Sequence, residues 1–265
     1  MFSFSIAGLV VGAAVGLTGV GGGSLMTPLL ILLFGFAPSA AVGTDLLYAA
    51  GTKAFGTWLH GRQQTVDWRV VGLMASGSIP AAILTVAMLH HVGITPAVQE
   101  MMVLVLAFAM VLTAILTFVR RPLVAWLHKR MVFASADRQR LLKLRPAITV
   151  AGGVALGVLV SLSSVGAGVL GTTMLLILYP NTRAVRIVGT DIAHAVPLTL
   201  IAGLGHLTLG TTDIPVLFML LLGSIPGIYI GTRLASRMPD GALRPIIAVL
   251  LFGIAVSMIF KTMHL

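Results

Sequence analysis

Long apolar runs separated by short polar segments follow one another along this chain of 265 residues. Several of these runs reach the roughly 20 residues that a helix needs to cross a bilayer, whereas two of them, 24–36 and 169–179, are shorter. The pattern therefore predicts a bundle of helices, most of which span a membrane. The full set of apolar runs is 4–18, 24–36, 40–60, 69–90, 97–119, 146–163, 169–179, 187–206, 214–235 and 242–260.

Each short run directly follows a glycine-rich cluster. The first cluster is GVGGGS at 19–24 and the second is SVGAGV at 164–169. Glycine lets the backbone leave the helical conformation, and unpaired N–H groups at membrane depth are tolerated only where they line a cavity or are buried in protein. We interpret each cluster as the tip of a helical hairpin that enters the membrane and returns to the same side.

The composition places the protein in the lipid bilayer. Hydrophobic residues make up 58% of the chain and charged residues 9%, against about a quarter of charged residues in an average soluble domain. The absence of cysteine excludes disulfides, thiolate metal sites and cysteine nucleophiles. The zinc-hydrolase string HExxH and the intramembrane-protease strings GxGD and GxSG are also absent. We therefore expect no enzyme activity, no metal and no cofactor.

The formal net charge of +10 comes largely from one segment between two apolar runs. The segment 120–145 contains a single acid, Asp137. Basic residues beside membrane spans are a topology signal, so we expect a cytoplasmic linker and no nucleic-acid partner. The basic residues of this segment are Arg120, Arg121, Lys129, Arg130, Arg138, Arg140, Lys143 and Arg145.

The chain contains an internal repeat. A shift of 145 residues aligns the two glycine clusters, and a shift of 146 residues lays the VGTD of 188–191 on that of 42–45 and the GSIP of 223–226 on that of 77–80. Chance does not place four identical residues in a row twice at one offset. The predicted organisation is a first transmembrane repeat at 1–119, the basic linker at 120–145 and a second transmembrane repeat at 146–265.

Basic residues also predict the relative orientation of the repeats. If each hairpin returns to its own side, a repeat has three full spans. Because that number is odd, the two copies are inverted, and 15 basic residues lie inside against Lys261 outside. Parallel copies would give 11 inside and 5 outside, which the positive-inside rule disfavours. We therefore predict an all-α polytopic membrane protein of two inverted repeats, each a re-entrant or broken helical hairpin plus three transmembrane helices. Secondary transporters have this architecture, with the substrate site at the repeat interface.

The two predicted breaks are candidate anion sites. A helix N-terminus presents unpaired N–H groups and a partial positive charge, and short helices are predicted to begin near Ser24 and Val169. The alternative is that these glycines only allow close helix packing, as we expect for Gly8, Gly12 and Gly16. The candidate substrate-binding residues of the breaks are Gly21, Gly22, Gly23, Ser24, Gly166, Ala167, Gly168 and Val169.

Ionisable residues within the apolar runs are the other candidates. Lys53 lies in an apolar run, where a charged side chain is costly and marks a functional site by default. Asp45 lies two turns earlier, and the second copy carries Asp191 and His194. We expect Lys53 to bind the anion, while Asp45, Asp191 and His194 couple transport to protons. The alternatives are that the aspartates cap helices and that His194 is an interior histidine with its hydrogen bonds satisfied.

These motifs resemble the sulfite exporter TauE/SafE family, also called the toluenesulfonate uptake permease family. The resemblance implies a multi-pass protein of the bacterial inner (cell) membrane that moves a small anion, a sulfur oxyanion or organosulfonate. An anion channel, or a transporter of a small carboxylate or a zwitterion, is the alternative. Asp45 and Asp191 stand where the family usually has a small hydroxyl residue, which suggests proton coupling or a zwitterionic substrate. Transport direction and oligomeric state stay open. The resemblance is carried by PLL at 28–30, VGT at 42 and 188, the segments 60–67 and 206–213, GSIP, and GTRLA at 231–235.

Overall fold

All regular secondary structure in the described part of the chain is helical. The computed structural model describes residues 2–18, 23–133, 135–235, 249, 252–254 and 256–257, and no strand occurs among them. Five helices in these residues are long and apolar enough to cross a membrane. The prediction of an all-α polytopic membrane protein is thus confirmed. The helices are α1 (Phe2–Thr18), α2 (Gly23–Phe34), α3 (Pro38–Arg62), α4 (Trp68–Val92), α5 (Pro96–Phe133), α6 (Ser135–Ser163), α7 (Val169–Leu178), α8 (Ala184–Thr208) and α9 (Ile214–Ala235).

The second predicted break lies between α6 and α7. Gly166 and Gly168 have φ angles of 121° and 147° there, a conformation that residues with a side chain rarely adopt. The short helix α7 then begins at Val169, as the sequence predicts. In the first repeat, α1 ends at Thr18 and α2 begins at Gly23. The predicted site residues Gly21 and Gly22 lie outside the described residues.

The basic linker is helical where the structure describes it. The apolar part of α5 ends at Arg120, but the helix continues to Phe133. In the same way, α6 begins at Ser135, before its apolar part at Lys143. Most residues of this segment have good helix propensity, so the two helices extend past their apolar portions. The last predicted run, 242–260, falls mainly outside the described residues.

The first helix of each repeat packs against a helix of the other repeat. A Cβ atom on Gly8 of α1 would lie 2.3 Å from the backbone oxygen of Leu220 in α9, and one on Gly153 of α6 would lie 2.3 Å from the backbone oxygen of Met74 in α4. Small residues permit this close approach of helix backbones. The prediction that Gly8 and Gly12 are packing residues agrees with these contacts. One turn further on, Gly12 packs against Ser224 and Gly157 packs against Ser78.

The helices α3 and α8 meet at the centre and run antiparallel. Near the start of α3, a Cβ atom on Gly43 would lie 2.7 Å from the backbone oxygen of Thr211, just past the end of α8. Near the start of α8, a Cβ atom on Gly189 would lie 2.5 Å from the backbone oxygen of Thr65, just past the end of α3. The beginning of each helix therefore contacts the end of the other, with equivalent residues on both sides.

Two aspartates cap helices at this contact. Asp67 Oδ1 accepts the N–H of Val70 at 3.4 Å, and Asp213 Oδ1 accepts the N–H of Val216 at 3.0 Å. This geometry makes both residues N-caps of the helices that follow them. The backbone N–H groups of the two aspartates bond threonine hydroxyls of the opposite repeat, Asp67 to Thr190 at 2.9 Å and Asp213 to Thr44 at 3.0 Å.

Candidate substrate site

Lys53 connects the two repeats at the second break. It lies in α3, partly buried, and its Nζ donates a hydrogen bond to the backbone oxygen of Ala167 at 2.8 Å. Ala167 stands between Gly166 and Gly168 in the break, so its carbonyl is outside any helix. A lysine of the first repeat thus contacts the helix break of the second repeat.

Asp45 lies on the same helix as Lys53 and is fully buried. Its Oδ2 accepts a hydrogen bond from the hydroxyl of Thr27 in α2, whereas its Oδ1 has no hydrogen-bond partner. The buried Ser164 hydroxyl of the second break is also without a partner and lies near this carboxylate. Asp45 therefore bonds the short helix of its own repeat and lies near the break of the other repeat.

Asp191 is the equivalent residue of the second repeat, and its side chain packs directly on α7. The residue is 1% exposed, and its Oδ1 has no hydrogen-bond partner. A Cβ atom at Gly171 in α7 would lie only 1.9 Å from this oxygen. Lys53 attracts the carboxylates of both Asp191 and Asp45. One lysine thus stands in the electrostatic field of two buried carboxylates.

The capping interpretation of these two aspartates is wrong. The helix α3 begins at Pro38 and α8 begins at Ala184, so Asp45 and Asp191 lie about two turns inside their helices. At that depth the N–H groups of their own helices already have intrahelical partners. The carboxylates instead face the short helices, and no capping role accounts for them.

Two hydrogen bonds join equivalent positions across the repeats. Tyr48 in α3 donates to Ser224 Oγ in α9 at 2.8 Å, and His194 Nε2 in α8 pairs with Ser78 Oγ in α4 at 2.8 Å. His194 is fully buried and its Nδ1 has no hydrogen-bond partner. Its ring also lies in the field of Lys53. His194 is therefore not an interior histidine with all of its hydrogen bonds satisfied, which was the alternative.

The N-terminus of α7 faces this group of side chains. Its N-cap, Gly168, provides no side-chain hydrogen bond, so the amides at this end keep the anion-binding character of a helix N-terminus. Ala167 and Val169 lie at the same tip. Of the first-repeat candidates, Gly23 and Ser24 begin α2, and only their backbone is described.

Sequence reasoning missed four residues of this site. Arg120, which the pattern assigns to a topology signal, donates from Nη1 to Thr172 Oγ1 in α7 at 3.4 Å. Thr27 lies next to Pro28 in α2. The only sign in the sequence that Thr27 has a role is its alignment with Thr172 of the second repeat. Ser78 and Ser224 belong to the repeated GSIP string, whose identity in both copies could have marked them.

No group of three or more His, Cys, Asp or Glu side chains that could hold a metal ion occurs in the described ranges. The site combines Lys53 and Arg120 with two carboxylates, a histidine, hydroxyl groups and the amides of a helix N-terminus. Such a set suits hydrogen bonding and ion pairing with a small solute.

A many-helix membrane protein with ionisable side chains buried at the interface of two repeats has the organisation of a membrane transporter. The chain belongs to the sulfite exporter TauE/SafE family, whose model matches residues 4–258.

Curated relatives agree with this class. The chain is 42% identical over 252 residues to the probable membrane transporter protein YjnA of Bacillus subtilis, covering 93% of this chain and 94% of the relative. It is 28% identical over 239 residues to the probable membrane transporter protein YdhB of the same organism, covering 89% and 90% of the two chains. No solved structure matches the chain.

Proposed function

We propose that this protein is a secondary transporter of a small anion, a sulfur oxyanion or organosulfonate, and that it has no enzyme activity. The single observation that carries the proposal is the hydrogen bond of Lys53 to Ala167 at the tip of a broken helix, with two buried aspartates close by. A lysine ammonium and a helix N-terminus at one point are suited to hold a small negative ion.

The proposed architecture is two inverted repeats around this site, in the inner (cell) membrane of a bacterium. The antiparallel contact of the equivalent helices α3 and α8 supports the inversion. The distribution of basic residues supports an orientation with the linker 120–145 and the loops at 60–69 and 233–244 in the cytoplasm. Alternating access would then expose the site to each side in turn.

The proposed substrate class rests on the family and on the charges of the site. The family is described as sulfite exporters, and sulfite and sulfonates carry the oxygen atoms that N–H donors bind. The relatives are named only as probable membrane transporters, so a small carboxylate or a zwitterion is the second candidate. Of these two, the aspartates favour the zwitterion, because a carboxylate pairs with its ammonium group.

Proton coupling is part of the proposal. The positive charge of Lys53 attracts the carboxylates of Asp45 and Asp191. An anion that binds Lys53 would share that positive charge with them, so a proton is needed to keep the buried site neutral. Anion and proton would then move together, which distinguishes a coupled transporter from a channel. Asp45 and Asp191 are the groups proposed to take up the proton, and His194, with one unpartnered ring nitrogen, is a candidate to relay it.

Counterflow in proteoliposomes tests the proposed function. Vesicles containing the purified protein are loaded with sulfite, thiosulfate, a small alkanesulfonate, acetate or the zwitterion β-alanine, and uptake of the labelled solute is measured. We expect accelerated exchange with the sulfur anions and none with acetate or β-alanine. Exchange restricted to acetate or β-alanine would replace the substrate class, and a flux that shows no counterflow but follows the membrane potential would indicate a channel.

A further inference from the structure

The two repeats differ at one pair of equivalent threonines, Thr27 in α2 and Thr172 in α7. Thr27 donates its hydroxyl hydrogen to Asp45 of its own repeat. Thr172 instead donates to backbone oxygens of its own turn, those of Gly168 and Val169, the latter at 3.2 Å. Asp191 therefore lacks the threonine partner that Asp45 has. The second half of the site differs from the first half at the point where a ligand would approach.

Arg120 is the side chain that approaches Thr172. Its Nη1 donates to Thr172 Oγ1 at 3.4 Å, and the residue is partly buried at the end of the apolar part of α5. The Asp191 carboxylate is attracted by both Lys53 and Arg120. Its Oδ1 is buried and without a hydrogen-bond partner. Two cations from different helices thus act on one carboxylate at the second break.

The balance of charge matters for what this group can bind. Lys53 and Arg120 contribute two positive charges, and Asp45 and Asp191 contribute two negative charges, so the formal sum is zero. An oxyanion that enters competes with Asp191 for both cations. A guanidinium offers two parallel N–H donors to two oxygens of one ligand, which an ammonium does not. A sulfonate or sulfite group presents such a pair of oxygens.

We propose that Arg120 is a second anion-binding residue, which holds two oxygens of the substrate between itself and Lys53 at the N-terminus of α7. The inference rests on the proposed anion transport and extends it by assigning the second cation of the site. It gives Arg120 a role beyond that of a basic residue that orients the membrane spans.

Anion-dependent thermal stabilisation of the purified protein tests this assignment, with sodium sulfite and a sodium alkanesulfonate as probes and sodium chloride as reference. The key variant is Arg120→Gln. The matched control is Arg69→Gln, which removes the same charge from an exposed position at the start of α4. We expect the apparent Kd for the oxyanions to rise at least tenfold in Arg120→Gln and less than threefold in Arg69→Gln.

Arg120→Lys provides a second variant that keeps the charge and the helix propensity. It is expected to bind the oxyanions three- to tenfold more weakly than the wild type, because the two-pronged geometry is lost. If both Arg120 variants bind within threefold of the wild type, Arg120 is not an anion ligand and the inference is wrong. If the wild type itself binds none of the oxyanions, the proposed function fails and the inference fails with it.

Discussion

The Nζ atom of Lys53 lies 2.8 Å from the backbone oxygen of Ala167, although the two residues are 114 positions apart in the chain. One residue belongs to the first repeat and the other to the break between α6 and α7 in the second. The contact brings a cation to a break in a helix, which is the feature from which an anion site can be built. It also makes the interface of the two repeats the place to test by mutation.

Replacing Lys53 by methionine should weaken anion binding. Methionine has a side chain of similar length but no charge. We therefore expect the apparent Kd for sulfite to rise at least tenfold, which is a loss of about 1.4 kcal/mol of binding free energy. Anion-dependent thermal stabilisation measures it. Thr52→Ala is the control, because the Thr52 hydroxyl bonds only carbonyls of its own helix. Equal affinity in Lys53→Met and the wild type would remove Lys53 from the site.

Replacing Asp45 by asparagine should uncouple transport from protons. Asparagine cannot take up a proton, yet it still accepts the hydrogen bond of Thr27, so the fold should persist. We expect substrate exchange to continue in proteoliposomes while an imposed pH gradient no longer drives accumulation. The control is Asp67→Asn, a helix cap at which asparagine serves as well as aspartate. Accumulation by the Asp45 variant on a pH gradient alone would contradict proton coupling through this residue.

A side chain at the helix breaks should abolish binding without preventing membrane insertion. Gly166 has φ of 121°, and a Cβ atom there would lie 3.1 Å from Leu159 Cδ2, so valine is strained in this conformation. We expect Gly166→Val, and Gly22→Val in the first break, to lose anion-dependent stabilisation. Gly72→Val is the control, because nothing lies within 4 Å of a Cβ atom at that position. Unchanged affinity in both break variants would reduce these glycines to packing elements.

Substitution of Gly171 by alanine should displace the Asp191 carboxylate. The added methyl group would meet Asp191 Oδ1 at 1.9 Å, so the carboxylate must move away from α7. We expect a transport rate at least tenfold lower and a reduced melting temperature, whereas Gly72→Ala should change neither. Counterflow and a thermal melt provide the two readouts. A Gly171→Ala protein that transports at the wild-type rate would show that the position of Asp191 against α7 is irrelevant to function.

Cysteine accessibility tests the proposed topology in a chain that contains no cysteine. We expect a cysteine at position 92, just before the turn at Gly93, to react with an impermeant thiol reagent on intact cells. A cysteine at position 64, in the loop between α3 and α4, should react only after permeabilisation. The same test predicts that both termini are periplasmic. The reverse labelling of the two loops would invert the orientation. Termini that react only after permeabilisation, with the two loops labelled as expected, would refute the inverted arrangement, because parallel copies place both termini in the cytoplasm.

Local chemistry was enough to predict much of this protein. Apolar runs of a given length form helices in lipid wherever they lie, and glycines such as Gly166 and Gly168 permit a break whatever packs beside them. The repeat at 145 and 146 residues is visible in the letters alone. Lys53 and Asp45 stand out because a charge in an apolar run is costly, and the N-caps Asp67 and Asp213 follow from their position before a helix.

Other features depend on which helices meet, and that is decided by complementary surfaces far apart in the chain. Nothing in the sequence around Gly8 specifies Leu220 as its neighbour. Nothing in the basic segment indicates that the Arg120 side chain donates a hydrogen bond to Thr172. Asp45 and Asp191 follow a motif that is typical of a helix start, yet their helices begin about two turns earlier, so their carboxylates face the short helices instead. Only the tertiary structure brings one lysine and two aspartates to the same break, because close packing of small residues across the two repeats determines their positions.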